Sequence, residues 1–232
     1  MEKNRVSDQT LCSAFSPGGK FYVTGGTDKI VRVYEMSDPP LLVNELTGHT
    51  DRILTIQFNN NGQCCFATGS CDGTSIIWRY SSSQWTSIVL VASVDQQLIS
   101  AASKFDNKTN QVTMICWERL TDSYLATGHT PDCNIRIWNT SNGEMVSLLK
   151  GHTNEVFVVE CHPKEPRILL TAGHDGQVII WDMLAAVQLK VFQIEHPDAD
   201  TLYSDDDLYT TECILQERQG KQPLLRKSTS SK

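Results

Sequence analysis

The sequence predicts an all-β fold built from four copies of one four-stranded unit, and three observations predict it. A turn aspartate stands six residues before an aromatic that closes a hydrophobic pair, and it does so four times: Asp28 before Val33-Tyr34, Asp72 before Ile77-Trp78, Asp132 before Ile137-Trp138 and Asp175 before Ile180-Trp181. The aromatics follow one another at steps of 44, 60 and 43 residues, the period of a four-stranded propeller blade with one insertion in the second step. Between them, alternating apolar runs are punctuated by Asn, Asp and Gly, the pattern of short strands joined by tight turns. The predicted architecture is a partial β-propeller of about four blades at 9–47, 48–91, 111–150 and 151–194. An N-terminal tail at 1–8, an insertion at 92–110 and a disordered tail at 195–232 complete the chain.

In the first blade, Leu11 to Phe15 reads as an innermost strand, Thr24 and Asp28 mark the next strand and its turn, and Ile30 to Tyr34 returns. The second blade opens at Gly48-His49. Ile53 to Phe58 alternates, an Asn-rich turn follows, and Cys65 to Ser70 makes another strand. Cys71-Asp72-Gly73 supplies a tight turn whose glycine tolerates positive φ, Ser75 to Trp78 returns, and Trp85 to Val91 is the fourth strand. Residues 92–110, between the second and third blades, read as a loop or short helix. The fourth blade repeats the second from Gly151-His152 through Val156-Phe157-Val158-Val159, Leu169-Leu170-Thr171, Asp175-Gly176 and Val178-Ile179-Ile180-Trp181, and ends on an outermost strand, Val187 to Ile194.

His49 precedes Asp72 by 23 residues, and His152 precedes Asp175 by the same distance. This equality predicts that His49, Thr68, Asp72 and Trp78 meet in space, as do His152, Thr171, Asp175 and Trp181. In each buried relay the indole N–H donates to the threonine hydroxyl, the hydroxyl to an imidazole nitrogen, and the imidazole N–H to the aspartate. Losing one member leaves the rest unsatisfied at a cost of about 1–3 kcal/mol, and losing the tryptophan costs about 3–5 kcal/mol. Histidine as base and threonine as nucleophile is the catalytic alternative. Duplication argues against it, since a structural tie is useful in every blade whereas a duplicated active site is rarely needed. The first blade keeps Thr24, Asp28 and Tyr34 but has Arg5 at the histidine position. In the third, Thr127 stands five residues before Asp132 and the histidine position falls on Thr109. These two blades are expected to be the softer ones.

Gly-His, about two dozen residues, then Asp and a hydrophobic-Trp pair resembles the WD-repeat β-propeller family, and Trp181-Asp182 supplies the dipeptide of that name. The resemblance covers residues 9–194. The wording of individual blades is similar to the propeller of bromodomain-and-WD-repeat chromatin regulators: Phe15-Ser16 leading to Thr24-Gly25-Gly26-Thr27-Asp28, Gln111-Val112-Thr113-Met114 leading to Trp117, and Asn154-Glu155-Val156-Phe157-Val158 leading to Ala172-Gly173-His174-Asp175-Gly176. With four blades and no bromodomain in view, the chain looks like a fragment or short form. The resemblance implies a nuclear protein, with a cytoplasmic pool allowed, acting as a non-catalytic interaction scaffold in chromatin-linked transcription control, with effects on cell shape and cytoskeletal organisation. Among similar proteins, substrate reception for a cullin-type ubiquitin ligase is the alternative. Its Trp-Asp-x-Arg signature is not met, because Leu184 stands where arginine is expected.

The net charge of −7 over 232 residues argues against nonspecific binding to nucleic acid phosphates. Much of the acid lies after the last blade (Glu195, Asp198, Asp200, Asp205, Asp206, Asp207), before a basic Ser/Thr-rich end from Arg226 to Lys232. No long apolar segment suggests a membrane span or a secretion leader. None of the eight cysteines forms a C-x-x-C pair, so reduced core and loop thiols are expected in a soluble intracellular protein, rather than a zinc site or disulfide framework. No catalytic residue, metal ligand or cofactor is expected: phosphate-binding glycine loops and nucleophile elbows are missing, and His129, His162, His174 and His196 fall in turns or the tail without a partner set.

Proteins or peptides bound on one rim are the expected partners, with neither nucleic acid nor membrane bound directly. Thr27, Cys71, Pro131 and His174, just before each turn aspartate, and Arg52 and Asn154, entering first strands, are the candidate contacts. Each blade buries its apolar faces only against neighbours, so four blades in an open row leave two end faces uncovered. Self-association, or blades missing from this chain, is expected to cover them.

Overall fold

In the computed structural model, residues 9–62, 64–91 and 110–194 are described; the predicted terminal tails and nearly all of the insertion lie outside them. The described residues form sixteen strands and no helix. The first blade is β1 (Thr10–Phe15), β2 (Phe21–Gly26), β3 (Val31–Glu35) and β4 (Leu41–Leu46), and the second is β5 (Ile53–Phe58), β6 (Cys65–Ser70), β7 (Thr74–Ser81) and β8 (Gln84–Val91). The third is β9 (Gln111–Trp117), β10 (Tyr124–Thr130), β11 (Ile135–Asn139) and β12 (Met145–Leu149). The fourth is β13 (Val156–Cys161), β14 (Ile168–Gly173), β15 (Gln177–Asp182) and β16 (Val187–Gln193). Each sheet is an antiparallel meander of four consecutive strands, so no blade borrows a strand from elsewhere in the chain.

Turn chemistry explains the hairpins. Gly73 and Gly176 adopt φ of 83° and 72° just after the turn aspartates, a conformation that L side chains rarely take. The aspartates hold the same turns from the side: Asp72 Oδ1 accepts the Thr74 N–H at 2.8 Å, and Asp175 Oδ1 accepts the Gln177 N–H at 3.0 Å.

The first strands are innermost, with β1 packed on β5, β5 on β9 and β9 on β13. Among the described residues no comparable packing returns from β13 to β1, so the blades form an open arc. Three apolar cores fill the three joints. Val23, Val31 and Val33 meet Phe58, Phe66 and Trp78 between the first and second blades, and Ala67 and Ile77 meet Trp117, Leu125 and Trp138 between the second and third. Ala126, Ile135 and Ile137 meet Leu169, Ile179 and Trp181 between the third and fourth. One face of each blade thus presents the closing aromatic of the repeat and its threonine backwards along the arc, and the other presents mainly Val, Ala and Ile forwards. Every residue of β6 is buried because both faces of its sheet are covered, whereas β14 alternates between buried and partly exposed residues because only one is.

Candidate functional site

Cross-strand register puts each threonine near its tryptophan and in line with the histidine of the preceding loop. Thr68 Oγ1 accepts the Trp78 indole N–H at 2.9 Å and lies 2.7 Å from His49 Nε2, while His49 Nδ1 lies 3.0 Å from Asp72 Oδ2. In the fourth blade Thr171 Oγ1 accepts the Trp181 N–H at 2.8 Å and lies 2.7 Å from His152 Nε2, with His152 Nδ1 3.0 Å from Asp175 Oδ2. Every member is satisfied when each imidazole carries its proton on Nδ1, facing the carboxylate. Burial of Asp72 works against its ionisation, but hydrogen bonds from His49, from the Thr74 hydroxyl and from the Thr50 N–H outweigh it and hold the carboxyl well below the usual carboxylate range. Asp175 is held low in the same way: burial opposes, and the N–H groups of Thr153 and Gln177 together with His152 win. The His49 and His152 side chains are 0% and 1% exposed, so neither imidazole can meet a substrate.

The first and third blades are tied differently. Arg32 pairs across the hairpin with Thr24, and Arg136 with Thr127, at the register positions that Ile76 and Ile179 hold in the other two blades. Each arginine forms an ion pair with its own turn aspartate: Arg32 Nη1 lies 2.5 Å from Asp28 Oδ2, and Arg136 Nη2 bonds Asp132 Oδ2. The blades therefore alternate between a guanidinium and an imidazole as the aspartate's partner. The Asp-x-x-x-Arg spacing at 28–32 and 132–136 was the available sequence signal.

His129 corrects the sequence reading. It lies in β10 rather than in a turn, is 2% exposed, and has a partner: its Nε2 is 3.0 Å from Thr127 Oγ1, which accepts the Trp138 N–H at 2.8 Å. Residues two apart on a strand share a face, so an imidazole at 129 reaches back to the hydroxyl that Gly-His histidines reach from the preceding loop. Burial first, then the Arg136 charge, pushes the His129 pKa down to about 3, against the opposing pull of Asp132. His162 also has partners, because its Nδ1 accepts the N–H groups of Lys164 and Glu165 at 3.2 and 2.9 Å.

The turn-aspartate end of the blades forms the candidate partner rim. Arg52, Pro131, Asn154 and His174 are exposed there, and Thr27 is half-buried, its hydroxyl accepting the Gln9 N–H at 2.8 Å. Cys71 does not belong to this surface. It is 1% exposed, held beneath Arg52 by a bond from its N–H to the Arg52 carbonyl at 2.9 Å, and burial pushes its thiol pKa up. The described cysteines are all thiols.

Sequence reasoning missed Phe157. It sits where the β13–β14 register shifts between Val156 and Val158, a β-bulge. It is 52% exposed, with its ring 4.8 Å from the His174 ring. The corresponding bulge in β1 falls at Leu11, which is 43% exposed. A bulge shifts the alternation by one residue, and the unbroken apolar run Val156-Phe157-Val158-Val159 hides that shift in the sequence.

At the opposite rim the second and third blades are clasped by polar groups. Asp122 accepts the N–H groups of Asn60 and Asn61 at 3.0 and 2.9 Å and Asn60 Nδ2 at 2.9 Å, and Arg79 Nη2 donates to the Thr140 carbonyl at 2.6 Å. A polar cavity of about 400 Å³ lies between these ties.

The family model described as WD domain, G-beta repeat matches residues 6–35, 41–79 and 143–182. The unmatched interval contains most of the third blade, where the insertion and the His129 arrangement depart from the pattern. The chain is similar to a bromodomain and WD repeat-containing protein of Dictyostelium discoideum, 31% identical over 200 residues, which is 84% of this chain and 9% of the relative. It is also similar to a guanine nucleotide-binding protein subunit beta of Arabidopsis thaliana, at 26% over 82% of this chain and 48% of the relative. A third relative is a periodic tryptophan protein 2 homolog of Schizosaccharomyces pombe, at 24% over 80% and 22%. The chain thus spans less than half the length of each of these relatives.

Proposed function

This chain belongs to the WD-repeat β-propeller family, and from that premise we propose that it is a non-catalytic interaction scaffold of a chromatin-linked transcription regulator, working in the nucleus. The observation that carries the scaffold reading is the rim pair of Phe157 and His174. An exposed aromatic ring on β13, held against an imidazole in the turn that follows β14 in the blade fixed by the Trp181 relay, is a pre-ordered anchor for an apolar side chain of a partner. On the same rim Asn154 offers an adaptable polar contact and Pro131 a rigid apolar one, with Arg52 and Thr27 further along the arc. The net charge of −7 favours protein partners over the phosphate backbone. The chromatin part rests on likeness to a protein named for bromodomains and WD repeats. Nothing in the geometry favours ligase reception: Asp182 Oδ1 is occupied by the N–H groups of Leu184 and Ala185, and its other oxygen by Arg167 at 2.7 Å.

The test is affinity capture from nuclear and cytosolic extracts with the full chain and with a Phe157→Ser/His174→Ser double variant of unchanged melting temperature. Chromatin-associated proteins retained by the parent and lost by the variant support the proposal. Partners held equally by both proteins refute the rim assignment, and purely cytosolic partners refute the chromatin assignment.

A further inference from the structure

The polar cavity of about 400 Å³ at the rim opposite the turn aspartates lies between the second and third blades, each of which has a packed neighbour on both sides. The second blade supplies Asn59 and Asn61 from the turn after β5 and Arg79 from β7; the third supplies Asp122 from the turn before β10 and Asn139 from the end of β11. Asn59 is 3% exposed. Its Nδ2 donates to Asn61 Oδ1 at 2.6 Å, which fixes the orientation of the carboxamide, and its Oδ1 is a buried acceptor that no described residue bonds. Buried acceptors are almost always paired, so this one, in a cavity wall, calls for a donor from what the cavity holds.

Arg79 supplies the complementary need. Cys65 pairs with Arg79 in the register of β6 and β7, and its carbonyl accepts the Asn59 N–H at 3.0 Å, so Asn59, Cys65 and Arg79 form one row across the blade. Asn59 and Arg79 thus stand two strand spacings apart, roughly 10 Å. A guanidinium carries five N–H groups. The described partners of this one are the Thr140 carbonyl at 2.6 Å and the Cys65 thiol, which leaves donors for a ligand acceptor. Charge then narrows the ligand class. Arg79 and Asp122 are the charged side chains of the lining, one of each sign, so neither an anion nor a cation gains from the cavity as a whole. The described residues also hold no group of three or more His, Cys, Asp or Glu able to bind a metal ion.

We propose that this cavity is a binding site for the uncharged carboxamide side chain of a partner peptide, a glutamine or asparagine. Its N–H donates to Asn59 Oδ1, and acceptors on the carboxamide or the adjoining main chain take the free N–H groups of Arg79. A carboxamide carries donor and acceptor on separate atoms of one plane, whereas a hydroxyl carries both on a single atom. About 400 Å³ falls in the range of small-ligand sites, room for the side chain together with its flanking peptide groups. The site lies on the rim opposite Phe157 and His174, so it stands or falls separately from the scaffold reading.

The test is titration of the full chain, followed by amide and side-chain N–H chemical shifts, with the capped peptide acetyl-Gly-Gln-Gly-amide at up to about 10 mM. The same peptide with Glu, Met or Ser in place of Gln, and propionamide as a free carboxamide, are the comparisons. Shifts at Asn59, Arg79 and Trp117 with the Gln peptide are expected, with at least tenfold weaker binding of every comparison. Asn59→Ala is expected to weaken the Gln peptide at least tenfold while the Phe157 and His174 signals stay in place, and Arg79→Met serves if Asn59→Ala loses its strand-rich circular dichroism spectrum. No shift with the Gln peptide, or a folded variant that binds it like the parent, overturns the proposal. Equal binding of the Glu, Met or Ser peptide overturns the carboxamide assignment, and propionamide binding as tightly as the Gln peptide overturns a peptide as its source.

Discussion

Replacing Thr68 with valine isolates the polar relay from its packing. The side chain is 0% exposed, and valine nearly reproduces its shape, so the change removes the hydroxyl that takes the Trp78 N–H at 2.9 Å and meets His49 Nε2 at 2.7 Å. Two buried polar groups lose a partner. At about 1–3 kcal/mol for each unsatisfied group, the expected destabilisation is about 2–6 kcal/mol. Thr68→Ser keeps the oxygen and deletes one methyl, and should cost about 1 kcal/mol. In the first blade the aromatic of the repeat is Tyr34, which has no indole N–H to donate, and Thr24 is only partly buried, so Thr24→Val is expected within about 0.5 kcal/mol of the parent. The assay is urea unfolding of the full chain followed by tryptophan fluorescence and circular dichroism, with Trp78→Phe added to build a double-mutant cycle. A coupling of about 1 kcal/mol or more between positions 68 and 78 is expected. If Thr68→Val costs no more than Thr68→Ser, the relay contributes nothing beyond its packing and the reasoning fails.

Acid should weaken the third blade early. His129 is held neutral with a pKa of about 3 against about 6.5 for an unfolded histidine, so the unfolded chain takes up the proton first. The stabilisation is therefore complete above about pH 6.5 and falls as pH drops from there towards 3, with a slope of up to about 1.4 kcal/mol per pH unit. His129→Gln should flatten the urea midpoint between pH 6.5 and 4.5, and an unchanged slope in the variant would rule out the buried neutral imidazole. Asp122→Ala removes the acceptor for the Asn60 and Asn61 N–H groups and is expected to cost about 2–4 kcal/mol, with faster amide exchange confined at first to residues 59–61; uniform exchange would contradict a local clasp. Gly69→Ala places a Cβ 2.6 Å from Val112 Cγ1 of the next blade and 2.8 Å from Thr55 Cγ2, so a loss of about 1–3 kcal/mol is expected, whereas Gly18→Ala meets nothing within 4 Å and should melt with the parent.

Repeat period, strand alternation and turn aspartates are local properties, and they were enough to predict an all-β arc of about four blades. A hydrogen-bonded turn needs only an Asp and a Gly close in sequence, and a half-buried strand needs only alternation, so neither depends on what packs above it. Contacts between strands were legible only where they repeat, as with the 23-residue step from His49 to Asp72 and from His152 to Asp175. Where a blade departs from the common pattern, the folded chain decides. Register sets Arg32 and Arg136 across from the relay threonines, and strand alternation lets His129 reach Thr127 from its own strand. Packing beneath Arg52 takes Cys71 off the rim, and a bulge hidden in an unbroken apolar run exposes Phe157 beside His174. The sequence by itself determined the repeating unit, because that unit is stabilised by neighbours along the chain. Tertiary structure alone decided which side chains close each relay and which faces stay uncovered, because those depend on distances between residues that the chain brings together only after the sheets have formed and stacked.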